Sequence, residues 1–154
     1  AGVPVQASCV DDCGTAHGQS DSLGDYALGV LAGHSWQVSL LDDAAQPLGL
    51  VGPTLPELES TSTLTMAPDL IVSPVEVWIE GLVSDEVGNS VANVVVQAFN
   101  SVTGNRVVTH TNSDGLYRVG IDAGPCIVDL LAGVAGYDLP APVEVVVNSG
   151  QVAV

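Results

Sequence analysis

The feature that most constrains this chain is an internal repeat. Ser20-Asp21-Ser22-Leu23-Gly24-Asp25-Tyr26-Ala27-Leu28 returns as Thr111-Asn112-Ser113-Asp114-Gly115-Leu116-Tyr117-Arg118-Val119, matching Gly24 to Gly115 and Tyr26 to Tyr117 at a separation of 91 residues. From Val5 and Val96 to Tyr26 and Tyr117 the two copies align without a gap. A period of that length makes each copy a folding unit of roughly 70–80 residues, near the lower limit for a self-sufficient core. Each copy of the motif reads as a polar turn feeding a strand. Asn, Ser and Asp favour local side-chain-to-backbone bonds, Gly permits positive φ, and the residues after it suit a pleated surface.

The rest of the chain also reads as strands and turns. Val, Leu and Ala dominate, with 17 Gly and 9 Pro, a composition that favours strands over helices. Residues 1–9 alternate apolar and polar, as do residues 92–98 at the same offset. Hairpins follow at 10–12 and 101–104, then strands at 15–19 and 106–111, and, past the repeated turn, strands at 36–41 and 126–131. Each copy is expected to close with two short strands, 63–66 and 70–72 in the first, 143–147 and 151–154 in the second. Ser73-Pro74 is a natural junction because Pro interrupts a ladder, so the expected domains are 1–72 and 73–154. The second opens with Val75-Glu76-Val77-Trp78-Ile79-Glu80-Gly81-Leu82-Val83 and the turn 84–89. The first has no counterpart and is expected to lack its opening strand. Ala1-Gly2-Val3-Pro4 is not an initiator sequence, so the chain is expected to be processed or part of something longer.

The second unit resembles the carboxypeptidase regulatory-like family, a small seven-stranded sandwich related in shape to transthyretin. The resemblance rests on Ile79-Glu80-Gly81-Leu82-Val83-Ser84-Asp85, Gly88, 94–98, the 111–117 turn and Ala123-Gly124-Pro125, and extends less closely to 1–72. Asn112 stands where Asp is usual, and Gly-Pro replaces Pro-Gly. The resemblance implies an all-β fold, two tandem Ig-like or transthyretin-like sandwiches, and a non-catalytic role appended to extracellular proteins. Related Gram-positive surface-fibre domains lock their sandwiches with Lys–Asn isopeptide bonds. This chain has no Lys and cannot form one.

Charge excludes two classes of partner. There are 18 acidic side chains, two Arg and no Lys, for a net charge of −16. Without a basic footprint the chain cannot displace counterions from nucleic acid or dock on an anionic bilayer. No apolar run is long enough to insert into a membrane. Such a charge suits a secreted, self-repelling protein, although clustered carboxylates could also hold calcium.

Few residues carry a reactive pattern. Cys9 and Cys13 bracket a hairpin tip, where a disulfide is geometrically reasonable and suits an oxidising compartment. Cys9, Cys13 and His17 could alternatively ligate a metal, but they are only three and match no standard spacing. Cys126 replaces Trp36 in the repeat and is expected to be a small core residue, the alternative being an intermolecular bridge. His17, His34 and His110 accompany no nucleophile elbow or zinc motif, and Ser20, Asp21 and Ser22 read as turn residues rather than a catalytic set. Asp11, Asp12, Asp21 and Asp25 could gather at one end but lack EF-hand spacing. Trp36, Trp78 and Tyr137 could form a glycan platform, against the simpler expectation of burial.

The sequence therefore predicts a non-enzymatic, cofactor-free structural module, extracellular or on a cell surface. Its expected partners are copies of itself or neighbouring domains, joined by strand pairing. Val3 and Val5, and Val77 and Ile79, are the expected assembly strands, with Val152 and Val154 at the downstream joint. The rival expectation is a carbohydrate- or calcium-binding accessory module.

Overall fold

The computed structural model describes residues 2–132, 137–150 and 152–153. Its strands are β1 Pro4–Cys9, β2 Thr15–Gln19, β3 Ser35–Leu40, β4 Leu50–Pro53, β5 Leu58–Glu59, β6 Ser73–Pro74, β7 Val77–Leu82, β8 Val95–Asn100, β9 Asn105–His110, β10 Leu116–Ile121, β11 Gly124–Ala132, β12 Val143–Val147 and β13 Val152–Ala153. One helical turn, α1 Asp42–Ala45, runs into a 3-10 turn at Gln46–Leu48. The fold is all-β, with antiparallel sheets that pack as a sandwich.

The sandwich is clearest in the second half. A sheet ordered β10-β7-β13 faces one ordered β12-β11-β8-β9-β4-β6. Alternation puts Val77, Ile79, Val96, Ala98, Val107, Val119, Ile121, Cys126, Val128 and Val147 into one core cluster. The first half has one sheet, β2-β1-β3-β5. Val5, Ala7, Cys9, Trp36 and Val38 form its buried face, with Leu55, and Tyr26, Leu28, Ala67 and Leu70 pack against them from irregular chain.

Equivalent positions take equivalent partners. Val5 faces Gly18 and Ala7 faces Ala16, as Val96 faces Thr109 and Ala98 faces Val107. Ala7 also faces Val38, as Ala98 faces Val128. The repeated turns agree at atomic level. Asp21 Oδ1 accepts from the Leu23 and Asp25 amides at 2.8 and 3.0 Å, and Asn112 Oδ1 accepts from Asp114 and Leu116 at 2.9 and 3.0 Å. An amide oxygen does what a carboxylate oxygen does, so Asn112 fills the expected Asp position without loss of the turn.

The halves diverge where the opening strand is missing. β10 pairs with β7 from Leu116↔Leu82 to Ile121↔Val77. The equivalent residues 25–30 form no strand. The strands expected at 63–66 and 70–72 do not form either; the layer they would join lacks its central strand, and unpaired backbone stays irregular. Two unexpected pieces, α1 and β4, replace the loop expected after β3. β4 leaves the first sheet and pairs with β9 (Gly52↔Arg106, Pro53↔Asn105) and with β6 (Leu50↔Pro74, Val51↔Ser73), which buries Val51 completely in the second core.

The two motif glycines measure this divergence. Both adopt positive φ, +93° at Gly24 and +73° at Gly115. A Cβ at Gly24 would meet nothing within 4 Å, whereas one at Gly115 would lie 2.5 Å from the Val83 carbonyl oxygen, just beyond β7. Gly24→Ala is expected to cost about 1 kcal/mol, the backbone penalty alone. Gly115→Ala should cost at least about 2 kcal/mol more, because Val83 cannot shift without breaking its 2.9 Å bonds to Gly115 and Val91. Urea denaturation of both variants tests this; equal losses would contradict it.

Candidate functional site

Two places stand out: an open strand position in the first half and the hairpin tip beside it. Residues 26–30 make no backbone–backbone hydrogen bond among the described residues, although Tyr26 and Leu28 pack on the first core. The Tyr26 hydroxyl is buried without a hydrogen-bond partner among the described residues. Burial, reinforced by Asp69, pushes its pKa up. Its equivalent, Tyr117, lies across Gly81 of β7, where a Cβ would come within 2.5 Å of Tyr117 Cζ. In the second half, then, a glycine on the opening strand makes room for the tyrosine. Among the described residues no such strand lies beside Tyr26. Leu23, Val30 and Leu31 near it are exposed, at 84%, 37% and 58%.

Of the expected assembly residues, Val5, Val77 and Ile79 occupy strands paired on both sides. Val5 lies on β1, paired with β2 on one side and β3 on the other. Val3 bonds with Ser20, its amide to Ser20 Oγ at 3.2 Å and its carbonyl to the Ser20 amide at 3.0 Å. Val77 and Ile79 lie on β7 between β10 and β13. Val152 pairs in parallel with Trp78; Gln151 and Val154 lie outside the described residues.

At the hairpin tip Cys9 and Cys13 form a disulfide with Cα atoms 5.4 Å apart. For so short a loop the chain-entropy model gives about 2 kcal/mol of stabilisation. His34, not His17, joins them: ligand atoms of Cys9, Cys13 and His34 lie within 4.8 Å of one another. His17 is exposed on β2 opposite Gln6. The sequence missed His34 because the β1–β3 register, Cys9↔Trp36, brings it to the tip from a distant loop. Among the described residues no other such group of His, Cys, Asp or Glu occurs, so the four candidate calcium carboxylates are not gathered.

The remaining candidates are dispersed. Trp36 is buried in the first core. Trp78 lies under the Arg118 guanidinium, 4.2 Å from the ring centroid, and Arg118 reaches Glu80 at 3.0 Å. That ring face is therefore taken rather than offered to a sugar. Tyr137 is half exposed. Cys126 is a buried free thiol whose pKa is raised to about 11 by burial and by Asp122, which leaves it protonated and unreactive. His110 ends β9, away from the tip. No helix among the described residues is long and apolar enough to cross a membrane.

No family model and no curated protein matches this chain. Two solved structures are similar to it over 99% of its length. One is the Bacillus anthracis TIE protein, with 12% identity and a TM-score of 0.44; the other is a streptococcal ancillary pilin, with 16% identity and a TM-score of 0.40. The chain spans 29% of the first and 55% of the second.

The segment leading to β4 ties the two halves. Gln46 accepts from the Gly120 amide at 2.7 Å and donates to its carbonyl at 3.0 Å, so one side-chain amide satisfies both backbone groups of one β10 residue. Asp42 Oδ2 accepts from the Val108 amide at 2.8 Å. Burial raises the Asp42 pKa to about 6, more than the Val108 bond and Arg106 offset. Folding thus favours the protonated carboxyl. Stability is fully present below about pH 4 and is lost as pH rises towards 6, by up to about 3 kcal/mol. Asp42→Asn keeps an acceptor and removes the charge. It should match the parent near pH 4 and exceed it by up to about 3 kcal/mol at pH 7 in urea titrations. The same difference at both pH values would contradict the buried-charge account.

Proposed function

We propose that this chain is a non-catalytic structural module of an extracellular or cell-surface protein, joined to its neighbours by strand pairing. The observation that carries the reading is the open strand position beside residues 26–30. Among the described residues their backbone is unpaired, Tyr26 and Leu28 already face a core, and the equivalent segment of the second half is a full strand on β7. An unpaired edge is a template for another chain. A strand donated by a second copy or an adjoining module would complete the first half as β7 completes the second.

In this reading the modules are 1–72 and 73–154, each of the carboxypeptidase regulatory-like type. Residues 42–53 then act as an arm of the first laid on the second. Val3, Val5, Val77 and Ile79 build the sheets that present the joints, and Val152 and Val154 belong to the downstream end. The hairpin disulfide and the strongly acidic surface both suit an oxidising, extracellular setting.

The donated strand should carry small-residue chemistry at one place. Because Tyr117 needs glycine opposite it, a strand entering beside Tyr26 should need glycine in the same register. A synthetic peptide of residues 75–84 is expected to bind the intact chain saturably in titration calorimetry. Replacing its glycine by valine should weaken binding at least tenfold. Absence of saturable binding, together with a monomer at every concentration in ultracentrifugation, would overturn the reading.

A further inference from the structure

We propose that the hairpin tip of the first half is a redox-gated site for a borderline-soft divalent cation such as Zn²⁺. When the disulfide is reduced, the clustered Cys9, Cys13 and His34 become three of its ligands, and the exposed Asp11, turning in from beside His34, supplies the fourth. Ligand atoms of the two cysteines and His34 already lie within 4.8 Å of one another, and His34 Nδ1 lies 3.7 Å from Asp11 Oδ2. Two thiolates, an imidazole and a carboxylate form a tetrahedral donor set suited to zinc. In such a site the sulfurs stand roughly 3.8 Å apart, as Zn–S bonds of about 2.3 Å require. Cysteines with Cα atoms 5.4 Å apart can reach that separation by side-chain rotation alone.

The backbone holds these ligands without relying on the disulfide. The Cys9 amide donates to Gly14 O at 2.9 Å and the Val10 amide to Ser35 O at 2.9 Å, closing the turn and docking it on the start of β3. His34 is fixed through its backbone: its amide donates to Ser60 Oγ at 3.3 Å, and its carbonyl accepts from the Ser60 amide at 3.0 Å. The imidazole is left to Asp11. Cys13, His34 and Asp11 are all partly or fully exposed, which leaves an entry path.

The internal repeat supplies a control. At the equivalent positions the second half carries Asn100 for Cys9, Val102 for Asp11, Gly104 for Cys13 and Gly124 for His34. None of the four positions keeps a thiol, imidazole or carboxylate. There the neck is tied instead by Asn100, whose Oδ1 accepts from the Val102 and Thr103 amides at 3.0 and 3.3 Å. A hairpin of this shape therefore needs none of the four donors for folding.

The chemistry balances in two steps. Two molecules of a low-molecular-weight thiol together give two electrons and two protons to the Cys9–Cys13 bond, so that its S–S bond breaks to two protein thiols and the two external sulfurs join in one disulfide. The cation then displaces both thiol protons to solvent as it binds. Oxidation reverses the sequence and releases the metal.

Co²⁺ titration into the intact chain, reduced by a phosphine and compared with the oxidised chain, tests this. One equivalent should bind the reduced form only, with thiolate-to-cobalt absorption and tetrahedral visible bands that Zn²⁺ abolishes. His34→Ala should weaken binding at least tenfold and Asp11→Asn several-fold, while His17→Ala changes nothing. If His34→Ala fails to fold, Asp11→Asn, altered only at the surface, decides by its change in the visible bands. Absence of thiolate–cobalt absorption in the reduced chain, or equal effects of His34→Ala and His17→Ala, would overturn the proposal.

Discussion

The pairing of β7 with β10 is the interaction on which the rest of the architecture depends. It aligns Val77 and Ile79 with Ile121 and Val119 so that all four point into one core. It also gives β13 an edge to join. The first half keeps the apolar side chains that β10 would need, and Tyr26 and Leu28 still find the core. They do not make a strand. Apolar burial is non-directional and can hold a segment against a sheet, but only a partner backbone can satisfy its amides and carbonyls in extended form. The two halves thus separate contributions that usually arrive together.

The chain compensates for the thin second layer by leaning one half on the other. β4 carries Val51 into the neighbouring core, and Gln46 meets both backbone groups of Gly120. Gly120 leaves room for this contact, since a Cβ there would lie 2.7 Å from Val75 Cγ1 and 2.9 Å from Gln46 Oε1 and would displace both side chains. The tie includes Asp42, a partly buried acid in a chain of net charge −16. Both arginines lie beyond it in sequence, and one of them, Arg106, lowers the Asp42 pKa only in part. Surface self-repulsion and a partly buried carboxyl act in the same direction, each disfavouring the compact state as acids ionise.

Much of this was legible in the sequence. Period-two alternation located β1 and β8 closely, because each has a buried face and a wetter one, and the strands expected after them fall within two residues of β2, β9, β11 and β12. The repeated turn was legible down to Gly24 and Gly115, because positive φ leaves glycine little competition. β4 was not legible. Leu50-Val51-Gly52-Pro53 ends in residues that normally punctuate strands, and its partner β9 lies in the other half. The strands expected at 63–66 and 70–72 show the opposite failure: suitable residues without a backbone to pair with. His34 was invisible for a third reason, since only the β1–β3 register places it beside Cys9. Spacing in sequence favoured His17, which the β1–β2 pairing carries to an exposed face.

The two hairpin necks show what a repeat preserves. Both must be tied across the same short turn. One half uses a covalent bond between Cys9 and Cys13, the other the buried amide of Asn100, which also donates to Asp122 Oδ2 at 3.1 Å and to Ala123 O at 3.2 Å. The Asn100 tie needs space: a Cβ on Gly124 would lie 3.0 Å from its Nδ2. Where the neck is held by sulfur that space is free, and the equivalent position can carry the side chain of His34. The geometric demand is common to both halves while the chemistry that meets it differs. It is this substitution of means that puts sulfur, imidazole and carboxylate together in one half and excludes them from the other.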